Sequence, residues 1–462
     1  MPGGGVTQIA QDQLLRDDPN LPFLETAWSC RKMAELFNRE VLPSTNPGLR
    51  ATAVKRADVI YSPGRKCVIR YSLHLDGALG TESRWAVVSF AKDDRLEAVF
   101  LSQYARNEGR TDRQASDAVY LPRYRCLVEL FPQDWRLPSL PLAMQPEKVA
   151  SVLRRASPDA NHASAAYSSE VKVLRYRPHY RCVFGYAMTP SAKSLQQMVG
   201  KIYPPGPEAR QVWNAINILH PQRMELGVMV SRPLALEEEW NLVLMERAPG
   251  VSMKQLLIDA RTPKEAAGVV SLAAAALATY HGLRFESPLV RSAQTELQKL
   301  RKRIDRLHLV APSLAEQADA LLQRVEALAQ GCTFGKSSFI HGDCKPSQLL
   351  IDQGRVAIVD YDMACLGDPA IDIGNFMAQF LKYALSTGQG HLRQLAPYFL
   401  AEYQARSSAD GLAERAHLFQ ALSLVRMAVR TFQWSPHSYA RKGQSSPQVL
   451  LLREAAACLA QL

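Results

Sequence analysis

The chain has 462 residues, 47% hydrophobic and 21% charged, the proportions of a globular protein with room for two or three domains. Val269–Tyr280, the most apolar helix candidate, is too short to span a bilayer, Met1–Asn20 lacks a charged start followed by an apolar run, and the eight cysteines show no CxxC or Cys/His spacing; a cytoplasmic protein with reduced thiols and no membrane partner is expected. The net charge of +11 raises nucleic-acid binding, yet the basic residues are spread along the chain and the densest cluster, Lys299–Arg306, is mixed and amphipathic, so no nucleic-acid partner is expected.

Residues 1–55 are punctuated by Pro and Gly and hold one helix signal, Ser29–Val41, with Met33, Leu36, Phe37 and Val41 on one face. Strand signals follow at Val59–Tyr61, Val68–Leu75, Trp85–Phe90 and Cys126–Phe131, broken by Ser62-Pro63-Gly64 and Asp76-Gly77. A Pro-rich connector, a helix over Pro146–Arg155 and a small, polar linker at Ala156–Ser169 close this unit, which spans 56–155. The pattern then starts again. Tyr61, Pro63, Lys66-Cys67-Val68 and Tyr71 match Tyr176, Pro178, Arg181-Cys182-Val183 and Tyr186, and at the same offset Leu127-Val128 matches Leu242-Val243. A further echo lies at Tyr120–Cys126. The spacing implies that 56–135 is a degenerate copy of a second β-rich unit, 170–247.

In that second unit a strand is predicted over Met198–Tyr203, and a helix from Pro207-Glu208 to about Leu219, with Pro in the first turn and Glu near the positive end of the dipole. Another strand, Leu242–Met245, runs into Glu246-Arg247-Ala248-Pro249-Gly250, where pairing must stop. From 248 to 462 the periodicity is helical: Lys264–His281, Ala293–Leu309, Ser313–Gln330, Ile371–Ser386, Leu392–Ala405 and Leu412–Thr431.

One stretch interrupts the helices. Gln348–Ile351 and Val356–Val359 flank Asp352-Gln353-Gly354 and should pair as a hairpin. His341-Gly342-Asp343 precedes it, and Asp360 and Asp362 end its second arm. A loop carboxylate, an amide five residues later and a carboxylate across a two-stranded ribbon can converge on one metal ion. Phosphoryl transfer uses such a set: one Asp orients the attacking hydroxyl, while an amide and a second Asp hold Mg²⁺ against nucleotide phosphates.

These residues also carry a resemblance. His341-Gly342-Asp343-Cys344-Lys345-Pro346-Ser347-Gln348 resembles the HGDxHxxN loop of aminoglycoside phosphotransferases, choline kinases and related small-molecule kinases. Val359-Asp360-Tyr361-Asp362, followed by Gly367-Asp368-Pro369-Ala370-Ile371-Asp372, is similar to their metal-binding segment IDWxxAxxGDPxxD. The resemblance implies an α+β, protein-kinase-like two-lobe fold, with an antiparallel β-rich small lobe and an α-rich large lobe. Here an additional N-terminal β-rich domain resembling a degenerate small lobe precedes them. It further implies ATP and Mg²⁺ as cofactors and a small-molecule hydroxyl acceptor, with sugars ahead of amino alcohols and aminoglycosides because a basic chain attracts polycations poorly.

By the same resemblance, Asp343 orients and deprotonates the acceptor, Lys345 neutralises the transferring phosphoryl, and Gln348 and Asp360 hold metal. Lys201 contacts the α- and β-phosphates and is fixed by Glu208. Arg181, on the turn where a GxGxxG loop is absent, can meet phosphate, and Glu246 and Ala248 lie on the hinge that receives adenine. Gln348 stands where most of the family has Asn, its amide one C–C bond (~1.5 Å) further out. Maltokinases resemble the chain both in this glutamine and in an extra N-terminal domain. Asp362 reads as a more distant or surface carboxylate, Asp372 as a helix-terminus partner or a brace for the loop, and His281 as a packed core histidine. Two alternatives stay open. Gln348 and the missing glycine loop also suit a catalytically weak relative that binds nucleotide or a partner protein. Phosphorylation of protein side chains lacks its APE-type segment.

Overall fold

The computed structural model describes residues 17–78, 80–104, 117–156, 170–188, 196–283, 287, 289–332, 334–335, 337–407 and 410–462; the linker expected at 156–169 lies outside them except for Ala156. Five strands, β1 (Arg50–Ser62), β2 (Lys66–Gly77), β3 (Gly80–Ala91), β4 (Ala118–Leu121) and β5 (Cys126–Leu130), form an antiparallel sheet in the order β1-β2-β3-β5-β4. A second sheet contains β6 (Glu170–Arg177), β7 (Arg181–Met188), β8 (Gln196–Ile202), β10 (Pro233–Glu237) and β11 (Leu242–Glu246) in the order β10-β11-β8-β7-β6. The two have the same topology, three meandering strands, a helix, then a hairpin that returns beside the third strand. The helix is Arg95–Gln103 in the first and Glu208–Leu226 in the second.

Register makes the likeness residue-specific. Tyr61 pairs with Cys67 as Tyr176 pairs with Cys182. Across the first sheet Val68, Ser89 and Leu127 form one row; across the second, Val183, Lys201 and Val243 do. Ser89 thus occupies the place of Lys201. Leu127 however faces the position of Val243 rather than Leu242, so the match over the last strand is one residue out.

Alternation in β2 explains where the first sheet sits. Cys67, Ile69, Tyr71, Leu73 and Leu75 point one way into a core that continues through the helical lobe, while Val68 points the other way, with Val87, into a core shared with Tyr176, Cys182, Phe184, Leu242 and Leu244 of the second sheet. At the first face Trp28 meets His437 edge-on at 4.8 Å and Tyr61 lies 6.3 Å from Phe432. At the second, Trp85 stacks on Tyr176 at 6.2 Å and the Lys66 ammonium sits 5.4 Å from the Tyr180 ring centre.

The helical lobe packs around Ala370–Thr387 and Leu412–Trp434. Gly374 permits their close approach: a Cβ there would lie 2.6 Å from the Ala416 carbonyl oxygen. The predicted hairpin is present as β13 (Leu349–Asp352) and β14 (Arg355–Ile358), flanked by the short β9 (Val228–Met229) and β12 (Val251–Ser252). Its turn uses left-handed backbone at Gln353 and Gly354, φ 48° and 77°. The helix after Glu208 runs on to Leu226, past the expected end and through Pro221, and Phe37–Val41 of the first predicted helix is a π-turn. All eight cysteines are free, and no helix among the described residues is long and apolar enough to cross a membrane.

Candidate active site

The loop carrying Asp343 is held from beneath. Gly342 has φ 77° and its missing Cβ would collide with the Met363 carbonyl oxygen, so only glycine suits that position. Asp372, fully buried near the start of the 370–387 helix, accepts from the backbone N–H of His341 (2.6 Å) and of Gly342 (2.9 Å). His281, also buried, lies 3.3 Å from the same carboxylate and 2.8 Å from the Tyr403 hydroxyl, and the His341 ring donates through Nε2 to the Val359 carbonyl at 3.0 Å. Burial pushes the Asp372 carboxyl up, but the hydrogen bond and charge of His281, with His341 and its N–H, outweigh it and hold the group below its ordinary value. A depressed pKa stabilises the fold fully above the unfolded carboxylate value of about 3.9 and loses that contribution as pH falls through the folded value. Asp372→Asn is therefore expected to cost about 2–3 kcal/mol in urea unfolding at pH 7, since two N–H donors then face an amide. The deficit should narrow below about pH 4; a pH-independent deficit would count against the charge.

From this support Asp343 pairs with the Lys345 ammonium. Burial raises the Asp343 carboxyl, and Lys345, then Arg430 and Arg426, more than reverse it. Asn375 donates to the Cys344 carbonyl at 2.6 Å and accepts from Arg426 at 2.8 Å, and Arg426 also bonds Glu296 at 3.1 Å. The Pro346–Gln348 turn then returns the chain to the hairpin.

At the hairpin's end Asp360 is in left-handed backbone, φ 75°, a conformation Asp tolerates better than most residues. Its carboxylate accepts from Lys201 Nζ at 2.5 Å, from Arg181 at 3.1 and 3.3 Å, and from Gln348 Nε2 at 3.1 Å. Asp362 accepts from Lys201 at 2.7 Å and from the Tyr203 hydroxyl at 2.9 Å, and pairs with Arg181. Two cations from the second sheet thus meet two anions from the helical lobe. Burial pushes the Asp360 carboxyl up, yet Lys201 and Arg181 hold it well below the usual carboxylate range. Asp362 is a central member of this cluster, and neither it nor Tyr203 stands out in the sequence as one; a Tyr two residues beyond the strand lysine, on the same face, was the available signal.

Arg181 ends a turn that the first sheet grips. His179, with φ 64°, is buried at its tip; its backbone N–H donates to Asp134 at 2.8 Å and its Nε2 lies 3.0 Å from Glu129. Tyr176 donates to Asp134 at 2.9 Å, and Glu129 also accepts from the Tyr104 hydroxyl (2.5 Å) and the Trp135 N–H (2.7 Å). Burial pushes the Glu129 carboxyl up and works against the His179 charge, but Asp134 and Glu129 keep that imidazole above its ordinary value.

Not every predicted partner arrives. Lys201 is not fixed by Glu208: the helix begins at that residue, leaving its side chain in solvent, and the lysine is held by Asp360 and Asp362 instead. Arg181 reaches the site as a partner of those carboxylates rather than as an open phosphate donor. Along the hinge the Glu246 N–H is spent on the Arg232 carbonyl and the Arg247 N–H on that of Gln197. The Glu246 carboxylate pairs with Arg232. That leaves Ala248, rather than Glu246, to offer an N–H. Both border a cavity of about 410 Å³ with His220, Arg223, Arg247 and Arg355, which neither Lys201 nor Asp360 lines.

Residues 189–418 match the family model described as Phosphotransferase enzyme family. No curated protein sequence matches the chain. Among solved structures, an ethanolamine kinase from Plasmodium vivax is 13% identical with a TM-score of 0.45, over 64% of this chain and 84% of its own. A choline/ethanolamine kinase family protein from Mesorhizobium loti is 13% identical with a TM-score of 0.46, over 68% and 94%. A thermostable aminoglycoside phosphotransferase in ternary complex with ADP and hygromycin B is 13% identical with a TM-score of 0.44, over 63% and 93%. Over residues 189–418, which carry Lys201, the His341–Gln348 loop and Asp360, the chain is therefore similar to the phosphotransferase enzyme family.

Proposed function

We propose that the protein transfers the γ-phosphate of ATP to a hydroxyl of a small metabolite, a sugar before an amino alcohol or an aminoglycoside. The observation that supports this most directly is the meeting of Lys201, from the small lobe, with Gln348 and Asp360, from the helical lobe, at one carboxylate. In this reading 170–247 holds the nucleotide, 248–462 holds the acceptor, and 56–155 is a small-lobe copy without the lysine. Ala248 offers its N–H to adenine, Lys201 and Arg181 exchange their pairing with Asp360 and Asp362 for phosphate oxygens when nucleotide binds, Asp343 orients and deprotonates the acceptor hydroxyl, and Lys345 steadies the group in transit.

Gln348 and Asp360 suit a hard divalent cation. The Gln348 Oε1 atom is buried and has no hydrogen-bond partner among the described residues, while the other end of the same amide bonds Asp360. An orphaned amide oxygen beside a carboxylate is an oxygen donor pair of the kind Mg²⁺ takes. Bound there, Mg²⁺ would neutralise charge on the phosphates. The purified chain should consume ATP only with Mg²⁺ present and stop when EDTA removes it; consumption indifferent to EDTA would defeat the reading. One observation favours a second reading, a nucleotide-binding relative with weak turnover: Lys201 and Arg181 already neutralise Asp360 and Asp362. That version predicts ATP binding that EDTA leaves unchanged, without turnover.

A further inference from the structure

Beyond Asp343 the helical lobe carries positive charge that nothing in the mechanism above uses. The Asn375–Arg426–Glu296 hydrogen-bond chain fixes how three helices present their faces there. Lys382 follows Asn375 by two turns on the 370–387 helix, Arg430 follows Arg426 by one turn on the 412–434 helix, and Arg303 follows Glu296 by two turns on the helix Ala293–Leu307. The first two helices run in the same direction, since Gly374 packs against Ala416 and Gln420 while Gln379, further on, reaches Met427. Lys382 therefore comes level with Arg430. Arg177, on the turn of the second sheet, completes the group from above.

All four cations are half-buried, and none has a carboxylate partner among the described residues. The nearby anions are committed elsewhere: Glu296 is shared by Arg426 (3.1 Å), Lys299 (3.3 Å) and Arg291 (3.4 Å), and Asp343 is paired with Lys345. Arg430 and Arg177 each lie over an aromatic ring, of Trp434 at 5.1 Å and Tyr180 at 4.5 Å, contacts that orient a guanidinium without neutralising it. Burial, and then the charge of Arg430, depress Lys382, Arg303 and Arg177 below their ordinary values, so the group repels itself. A half-buried set of like charges is relieved by an oxyanion that accepts several charge-assisted hydrogen bonds at once.

Resting on the phosphotransfer reading, we propose that Arg303, Lys382 and Arg430 hold an anionic group, a phosphate or a carboxylate, on the hydroxylated acceptor whose hydroxyl Asp343 addresses. This goes past a preference for sugars: it selects acidic or already phosphorylated ones and rejects polyamines, which would meet uncompensated positive charge. The nucleotide phosphates are the competing source of the same chemistry, but Lys201 and Arg181 already serve their side of the site, and the three helical-lobe cations are reached through the residues that support Cys344.

The test uses the full chain with Mg²⁺-ATP and four acceptors: glucose, glucose 6-phosphate, glucuronate and a polyamine aminoglycoside. One of the two anionic sugars should exceed glucose in kcat/KM by on the order of tenfold or more. Arg303→Gln and Lys382→Gln should each raise the KM of that acceptor on the order of tenfold and leave the KM of ATP within about twofold. Preference for glucose or the aminoglycoside overturns the proposal. So does a KM for ATP that rises in step, which would give the cations to the nucleotide. If ATP is not consumed with any acceptor, the phosphotransfer reading has failed, and calorimetric titration of glucose 6-phosphate and of glucuronate decides the site alone. Saturable binding lost in the Arg303→Gln/Lys382→Gln double variant supports it; binding that is absent, or equal in the variant, ends it.

Discussion

Asp343→Ala is expected to lower kcat by about 10²–10⁴-fold while leaving the KM for ATP nearly unchanged. In the proposed reading the substitution removes the carboxylate that addresses the acceptor, and the residues assigned to the nucleotide (Lys201, Arg181, Ala248) keep their contacts. Stability should change little, because the loop is held by Asp372, His341 and Asn375 rather than by Asp343 itself. Asp343→Asn sharpens the test. It keeps an oxygen for Lys345 and for a substrate hydroxyl but cannot take a proton, so a loss as deep as that of alanine assigns the effect to base catalysis. Lys345, with Arg430 and Arg426, overrides the upward push of burial. The group is thus ionised throughout the neutral range and should contribute no acid limb to kcat/KM above about pH 4. An alanine variant retaining a tenth of wild-type activity would remove Asp343 from the mechanism.

Glu129→Ala is expected to cost about 3–5 kcal/mol of folding stability. Glu129 has no exposed surface and satisfies three groups at once, the His179 ring, the Tyr104 hydroxyl and the Trp135 N–H. Deletion leaves all three without that acceptor, the His179 ring in a buried place, which costs more than the bonds themselves contribute. The second consequence is local to the nucleotide. His179 sits two residues before Arg181, and a turn released at its tip should raise the KM for ATP several-fold in whatever protein remains folded. Glu129→Gln keeps an acceptor for Tyr104 and Trp135 and should recover part of the stability. Urea unfolding of the two variants, compared with an exposed control such as Glu208→Ala, measures the difference; an alanine variant within about 1 kcal/mol of wild type would show that the cluster is held by packing instead.

What can be read from the sequence, and what cannot, follows from how far each interaction reaches. The hairpin between Leu349 and Ile358 is local, its turn residues choose their own backbone, and the residues it brings together, Gln348 and Asp360, are only a few positions from it. The repeat was legible because Tyr61 and Tyr176 each begin the same tight pairing with a Cys. It slipped by one residue only at the last strand, beyond helices of unequal length. The Lys201–Glu208 pair was a transfer from the family pattern, and it failed because the helix starts at Glu208 and turns that side chain outward. Nothing near Lys201 in the chain announces that Asp362 will hold it, and nothing near His179 announces Glu129. Those partners are chosen by which faces of separate sheets and lobes come together. The same holds for Arg303, Lys382 and Arg430, each an ordinary surface residue until three helices align.

The first sheet, with Trp28 before it and Asp134 after it, touches both other parts of the molecule, Phe432 and His437 of the helical lobe through Tyr61 and Trp28, and Tyr176, His179 and Tyr180 of the small lobe through Trp85, Asp134 and Lys66. It therefore acts as a strut across the joint. Rotation of one half against the other must either carry this strut along as a rigid passenger or peel apart one of its two dry faces. Trimming the chain to its kinase-like part would lay both faces bare, so that shortened protein should be sticky as well as unguided.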